Sequence, residues 1–534
     1  MHPTRIILLA GICFLAACSY LEEEKKIIRD TSINERTSFN NIFFDSTAID
    51  NFLNRETELK TFADQFQDFY LARNYTYAWF DSSGLAEQAH NFMNLLSNSI
   101  TQLNDSSLYD PTLFKDYERM LVDSGKSLTP AQKLQTELRF TGQFFQYAAK
   151  TYKGSDIDVA ELGWFIPRKK IDLTALLDSS LRNKAIEPER FAPLNSQYKK
   201  LEQALQQFVQ LQAAIDSTDT IAHVQQPIKK GMEDARIFAI KSRLIAYGDL
   251  EMHDSSELYN DSCVAAVKRF QRRTGLAADG QIGNRLIEEL NTPIAKRIQQ
   301  LLVNMERARW LPPESDSNYV VVNIPEFKLH VYDSGKLQYD MNVIVGSATN
   351  NTVIFNGNLK YVVFSPYWNV PSSIVQKEIL PAMNRNPAYL DKNHMEITGG
   401  SKNSPSIRQK PGPWNSLGLV KFLFPNSYSI YFHDTPNRSL FSANNRSLSH
   451  GCIRLGEPKK FAQYLLRNDT TYWTSKRIDS CMNLPKEKWV TLNKPLPVFI
   501  LYMTAWVDKN GLLNFRRDIY GHDRKMTDKL FVKN

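Results

Sequence analysis

The chain has 534 residues, of which 42% are hydrophobic, 11% aromatic and 23% charged, a globular balance that excludes a disordered or collagen-like polymer. At roughly 100 to 200 residues per domain, it should hold about three domains. Lysine plus arginine exceed aspartate plus glutamate, 65 against 57, for a net charge of +8; this suits an anionic partner but is too small and dispersed to argue for nucleic acid.

Taken in chain order, Met1 to Cys18 reads as a basic start with Arg5, an apolar run from Ile6 to Leu15, then Ala16, Ala17 and Cys18. The run is too short for the roughly 20 apolar residues of a membrane helix and has the size of a signal-peptide core. A buried N-terminal helix is the competing reading, disfavoured by the polar segment that follows. Leu15-Ala16-Ala17-Cys18 resembles the lipobox of bacterial lipoproteins. The resemblance implies cleavage before Cys18, lipidation of its sulfur, and an exported body anchored to a bacterial membrane, expected to be the outer membrane facing the periplasm. Residues 1–17 are then signal peptide and 18–47 a polar tether.

From 48 to 229 the patterning is helical. Thr129-Pro130 supplies an N-cap and a first-turn proline, and Leu134, Leu138, Thr141, Phe145 and Ala148 recur at three- and four-residue steps, which predicts an amphipathic helix. Ala86 to Leu103 and Tyr198 to Ile215 are further helical stretches. A compact three-helix unit is expected over 230–292. Its residues Val267-Lys268-Arg269-Phe270-Gln271, Gly275-Leu276, Asp279-Gly280, Gly283 and Leu290-Asn291 resemble the three-helix peptidoglycan-binding domain, with a departure at Leu286, where that family carries a small hydroxyl residue. Cys263 is expected as a small buried apolar residue.

Beyond a linker over 293–316 the period changes to that of strands. Tyr319 to Ile324, Lys328 to Tyr332, Met341 to Gly346 and Lys360 to Phe364 are β-branched or alternating runs, with Asp333-Ser334-Gly335 as a hairpin signal. A more helical insertion over about 371–411, punctuated by Pro371, Pro381 and Pro387, stands where a lid could lie. Strands resume at Leu419 to Phe424, Ser429 to His433 and Val498 to Thr504. Residues 506–534 read as a basic tail.

The densest chemistry is Ser449-His450-Gly451-Cys452-Ile453-Arg454, with His433 closing the strand before it. A thiol of ordinary pKa, about 8.5, needs a base to attack a carbonyl at neutral pH, and a nearby imidazole supplies one. Gly451 lets backbone amides approach a developing oxyanion. Three other readings stay open: a zinc site, for which no fourth ligand stands at metal spacing; a Cys452–Cys481 disulfide; and an inert buried thiol. Cys263, Cys452 and Cys481 are an odd set, so at least one free thiol is expected.

His433, fifteen residues, then Ser449-His450-Gly451-Cys452 with Arg454 resembles the signature of the YkuD-type L,D-transpeptidase catalytic domain. Asn369-Val370-Pro371, Arg408 to Gly412, Asn415 to Gly418, Lys421-Phe422, Pro425-Asn426 and Tyr431 to Pro436 are similar to the large multidomain YcbB-like subfamily. The fold so implied is multidomain α+β: a helical scaffold, a three-helix peptidoglycan-binding-like domain, and a β-rich catalytic domain over 317–505 with a helical capping insertion. The resemblance implies Cys452 as nucleophile and His433 as general base, with His450, Gly451 and the Cys452 amide shaping the oxyanion hole. Arg454 would hold a substrate carboxylate or orient the loop, with Ser449, Tyr431, Trp368 and Arg408 on the substrate side. It implies acyl transfer from the third residue of a tetrapeptide stem, with release of D-Ala, to an amine acceptor, giving 3-3 cross-links in peptidoglycan. No cofactor or metal is required. The alternatives are a carboxypeptidase or hydrolase using the same site, and a non-catalytic peptidoglycan-binding lipoprotein.

Overall fold

The computed structural model describes residues 42–103, 106–155, 157–158, 160–167, 171–182, 195–214, 220–252, 255–312 and 317–531. The expected signal segment, Cys18 and the tether up to residue 41 lie outside them. No helix among the described residues is long and apolar enough to cross a membrane. The chain divides into two compact units, one of residues 1–94, 109–146 and 173–186, the other of 95–108, 147–172 and 187–534.

The first unit is helical. The helix expected after Thr129-Pro130 runs Pro130–Ala148. Its start is closed by a reciprocal cap in which the Gln132 amide donates to Thr129 Oγ1 (3.3 Å) and the Thr129 amide to Gln132 Oε1 (3.0 Å). Leu138, Thr141 and Phe145 are buried as the periodicity predicts. In the core, Trp79 stacks on Phe140 at 5.4 Å. A fully buried carboxylate there is Glu137, which accepts from the amides of Ala78 (2.6 Å) and Trp79 (2.9 Å) and from the Tyr70 hydroxyl (2.8 Å). Burial pushes its pKa up to about 7 against these hydrogen bonds. Glu137→Leu would leave the Ala78 and Trp79 amides without this acceptor, while the Tyr70 hydroxyl keeps Thr141 (2.7 Å), and is expected to cost on the order of 3 kcal/mol. Glu137→Gln, which keeps one carbonyl oxygen, should cost clearly less; urea denaturation of the two variants makes the comparison.

The second unit contains the three-helix bundle, with helices Arg236–Ala246, Asp261–Arg273 and Asn284–Leu290. Ile237, Ile240, Leu244, Val267, Phe270 and Leu286 form its core, and Cys263 is fully buried among them. Gln271 fixes the glycine turn: its side chain accepts from the Gly280 amide (2.8 Å) and donates to Asp279 (2.8 Å). The boundary expected at 229 is not where the compact units divide. Helix Ser196–Ala214 belongs to the second unit, where Tyr198, Leu201, Leu205 and Phe208 join the core lined by helix Ile294–Trp310.

The β-rich domain is one nine-stranded sheet: β1 (Tyr319–Asn323), β2 (Lys328–Asp333), β3 (Lys336–Gly346), β4 (Phe355–Phe364), β5 (Val420–Leu423), β6 (Phe432–His433), β7 (Ser447–Ser449), β8 (Ile453–Leu455) and β9 (Lys488–Leu501). The order is β7-β3-β8-β6-β5-β4-β9-β1-β2, and pairing of β2 with β3 closes it into a barrel. The β2–β3 turn holds Ser334 and Gly335 at φ 49° and 72°, the pair of positive φ values that a tight hairpin needs. Along β1, β2 and β9, the alternate residues Val320, Val322, Leu329, Val331, Val498 and Ile500 are fully buried, which is the inward half of the period-two pattern.

Three expectations need correction. The strand expected from Ser429 forms only at Phe432–His433. Ser429 lies at φ +56°, and the Asn426 side chain takes the amides of Tyr428 and Ile430 (3.0 and 3.2 Å), replacing a strand partner with a turn. The insertion is not purely helical. Trp368–Asn369 and the hairpin Met395–Ser401/Ser404–Gln409 make a three-stranded sheet that packs, with helices over 372–385 and 389–392, around Val370, Val375, Ile379, Met395 and Ile407. The basic tail is structured: a hairpin Ala505–Val507/Leu513–Phe515 and a helix His522–Leu530. Two of its charges pair with distant residues, Arg517 with Glu289 (3.1 Å) and Asp523 with Arg307 (2.6 Å), which composition alone does not show.

Candidate active site

β6 and β8 run side by side and parallel, with Phe432 opposite Ile453 and His433 opposite Arg454. His433 therefore ends one strand where the Ser449–Cys452 turn leads into the next. The thiol-bearing loop is pinned by its own polar groups. Ser449, buried, donates its hydroxyl to the Cys452 carbonyl (2.6 Å) and accepts from the Gly451 amide (3.2 Å). Thr352 Oγ1 donates to the Gly451 carbonyl (2.8 Å). Gly451 sits at φ +115°, a conformation that side chains rarely adopt.

Neither Cys452 nor Cys481 is in a disulfide, so the bridge between them is not formed. Among the described residues no three His, Cys, Asp or Glu side chains converge on a metal position. Cys452 is half-buried and its thiol donates to the Ser429 carbonyl at 3.6 Å. Burial pushes the thiol above its ordinary pKa; the Tyr431 amide and hydroxyl, and more weakly the charge of Arg454, pull the other way.

His433 is buried, and Nδ1 lies 2.5 Å from the Asp434 carbonyl. A carbonyl only accepts, so Nδ1 carries the proton and Nε2 keeps its lone pair. This carbonyl is the orienting group that sequence could not name. It is held in turn by the Asp434 carboxylate, which accepts from the amides of Leu419 (2.9 Å) and Thr435 (2.6 Å) and pairs with Arg438. Burial, together with the positive charges of Arg454 and Lys421, pushes His433 down to about 3, against the Asp434 hydrogen bond that favours the protonated ring. Lys421 faces His433 across the β5–β6 pair and donates to the Tyr367 carbonyl (3.4 Å). No sequence signal marked its proximity to His433, since only the register supplies it.

Of the expected site residues, Cys452, His433, Tyr431, Ser449, Gly451 and Arg454 come together here; the Tyr431 ring lies 5.8 Å from that of His433. The Arg454 Nε is buried without a hydrogen-bond partner. His450 points outward, its Nε2 3.4 Å from Glu378 on the insertion. Trp368 and Arg408 belong to the insertion's sheet. Trp368 packs on that sheet's core, while Arg408 donates to Glu396 (2.6 Å) and lies 4.3 Å over the Tyr367 ring.

The resting site thus holds a neutral thiol and a neutral imidazole, both next to Tyr431 and both in the field of Arg454, and no hydrogen bond joins them in this structure. With the thiol pKa raised, its thiolate fraction grows with pH throughout the neutral range. With His433 near 3, no imidazolium forms above about pH 5 to flatten that rise. Alkylation of Cys452 by iodoacetamide should therefore accelerate about tenfold per pH unit between 6 and 8.5; a plateau from pH 4 to 7 would mean a preformed thiolate–imidazolium pair.

Three segments of the chain match known domain families. Residues 317–476 match the YkuD family, the L,D-transpeptidase catalytic domain; 64–205 match a scaffold domain; and 233–290 match the family described as "Putative peptidoglycan binding domain". The chain carries an L,D-transpeptidase catalytic domain joined to a domain of the peptidoglycan-binding family. It is similar to a Haemophilus influenzae protein described as "Putative L,D-transpeptidase", 34% identical over 244 residues. That match takes in 43% of this chain and 49% of the relative, so the chain spans about half the relative's length. Among solved structures, an L,D-transpeptidase of Xylanimonas cellulosilytica aligns at 14% identity and a TM-score of 0.17, over 52% of this chain and all of that one. L,D-transpeptidase 1 of Mycobacterium tuberculosis aligns at 16% identity and a TM-score of 0.16, over 35% of this chain and 62% of that one.

Proposed function

We propose that the protein is a peptidoglycan L,D-transpeptidase in which Cys452 is the nucleophile and His433 the general base. The observation that carries the reading is the Cys452 thiol, in no disulfide, sharing Tyr431 and Arg454 as neighbours with an imidazole whose Nδ1 is committed to the Asp434 carbonyl, leaving Nε2 as the acceptor, inside the segment that matches the catalytic domain. Sγ attacks the carbonyl of the third stem residue, expected to be diaminopimelate, as its proton passes to His433 Nε2. The Cys452 amide receives the oxyanion, because the Gly451 amide already donates to Ser449. Collapse breaks the peptide bond, and His433 gives the proton to the leaving D-Ala amine, leaving a thioester. An acceptor amine then attacks, losing a proton to His433, which returns it to the departing sulfur, and a 3-3 cross-link results.

The low basicity of His433 sets a condition on this path. Protonating it at neutral pH is opposed first by burial and then by the charges of Arg454 and Lys421. A substrate carboxylate beside those cations would relieve the repulsion, so donor binding itself raises the basicity of the ring. Trp368 and Arg408, carried on the insertion, are assigned with Ser449 and Tyr431 to the substrate's side, and His450 with Gly451 to the shaping of the oxyanion hole. Lipidation of Cys18 would hold the enzyme at the outer membrane facing the periplasm, and the scaffold, three-helix and catalytic domains in this order fit the YcbB-like subfamily. The test is mass analysis of products from disaccharide-tetrapeptide. The expected product is a dimer lacking one D-Ala; a product that gains water and loses D-Ala, without dimer, would make the enzyme a carboxypeptidase, and unchanged substrate would remove the reading.

A further inference from the structure

The outward half of the strand alternation is unusual at one end of the barrel. Phe499, Val321, His330 and Asp340 form one row across β9, β1, β2 and β3, and Tyr319 pairs with Tyr332 in a parallel row. These residues floor a groove of about 840 Å³, a size that accommodates an extended ligand. None of the residues around Cys452 lines it. Four aromatic rings border it, all half-buried: Tyr319 and Tyr332 stacked at 4.6 Å, Phe499 edge-on to Tyr319 at 6.2 Å, and Trp506, held under Arg516 at 4.9 Å.

The charges on the floor are already compensated. Lys328 pairs with Asp340, and Glu326 with His330 at 3.0 Å. Burial disfavours charge on both members of the second pair, yet each holds the other ionised: Glu326 lies below the usual carboxylate range and His330 above the usual imidazole range. A floor of aromatic faces and neutralised ion pairs offers no net charge to an ionic ligand. It offers apolar faces for the C–H surfaces of pyranose rings, and mixed donors and acceptors for hydroxyl and acetamido groups. The exposed cations along the groove, Lys200, Lys509 and Arg272, stand against one carboxylate, Asp508. Arg272 belongs to helix Asp261–Arg273 of the segment matching the peptidoglycan-binding family.

We propose that this groove is a second binding site for a glycan strand, whose uncharged N-acetylated sugar backbone would lie on the floor and whose carboxylate-bearing substituents would face the cations. It would hold the polymer backbone while the chemistry proceeds elsewhere, and it does not depend on the assignment of Cys452.

The probe is chitotetraose, an N-acetylglucosamine tetramer with no peptide. Titration of the full chain, followed by Trp fluorescence and calorimetry, should give saturable binding that weakens at least tenfold in the double variant Tyr332→Leu/Phe499→Leu. Its melting midpoint and Cys452 alkylation rate should stay at parental values. Photo-crosslinking of a diazirine-bearing tetramer to the unaltered protein tests the same point without a variant, and adducts are expected within 319–340 and 497–510. No binding at millimolar tetramer, adducts confined elsewhere, or displacement of the tetramer by sugar-free stem tetrapeptide would overturn the proposal.

Discussion

Cys452→Ala is expected to lower dimer formation from disaccharide-tetrapeptide by roughly ten-thousandfold or more, the scale on which removing a covalent nucleophile acts. The fold should survive. The thiol makes one long hydrogen bond to the Ser429 carbonyl and meets Tyr431, whereas the loop is held by Ser449, Thr352 and backbone groups that alanine leaves in place. The melting midpoint of the variant should shift by no more than surface substitutions do, equivalent to about 0.5 kcal/mol. Dimer yield equal to the parent's, measured by chromatography with mass detection, would remove Cys452 from the mechanism.

His433→Ala should cost about a thousandfold in the same assay, within the range general bases supply. Its separation from a structural effect lies in a second readout. Alkylation at pH 9 proceeds through the ionised thiolate and needs no base, so its rate in His433→Ala should stay within about twofold of the parent. Dropping the ring also removes the contact to the Asp434 carbonyl, but the Asp434 carboxylate keeps its own partners Leu419, Thr435 and Arg438. Loss of both activities together would point to a collapsed site instead of a missing base.

Much of the candidate site was legible because it is local. Ser449 to Cys452 and the strand before it are short motifs, and their chemistry follows from a thiol, an imidazole and a glycine. The strands of the barrel were legible where β-branched residues alternate, as in Tyr319 to Asn323, and the helix after Thr129-Pro130 where cap and period agree. Long-range register was not legible. Lys421 is one more lysine in sequence, and only the β5–β6 pairing sets it against His433. The Asp434 carbonyl is a backbone group that no residue type marks. The hairpin at 395–409 hides behind Gly399-Gly400 and neighbouring prolines, and the docking of the basic tail was not legible because Arg517 meets carboxylates more than two hundred residues away. Helix Ser196–Ala214 has the same periodicity whichever core it joins, so its membership of the second unit could not be read from it.

The most direct measurement is the mass of the acyl-enzyme. The full chain is incubated with disaccharide-tetrapeptide without an added amine, quenched in acid within seconds, and digested for peptide mapping. The account predicts that the peptide containing Cys452 gains the disaccharide-tripeptide acyl group, with one equivalent of D-Ala released, and that hydroxylamine removes it as expected of a thioester. An acyl group mapped to Ser449 or to any other side chain, or D-Ala released with Cys452 remaining unmodified at every quench time, would contradict it.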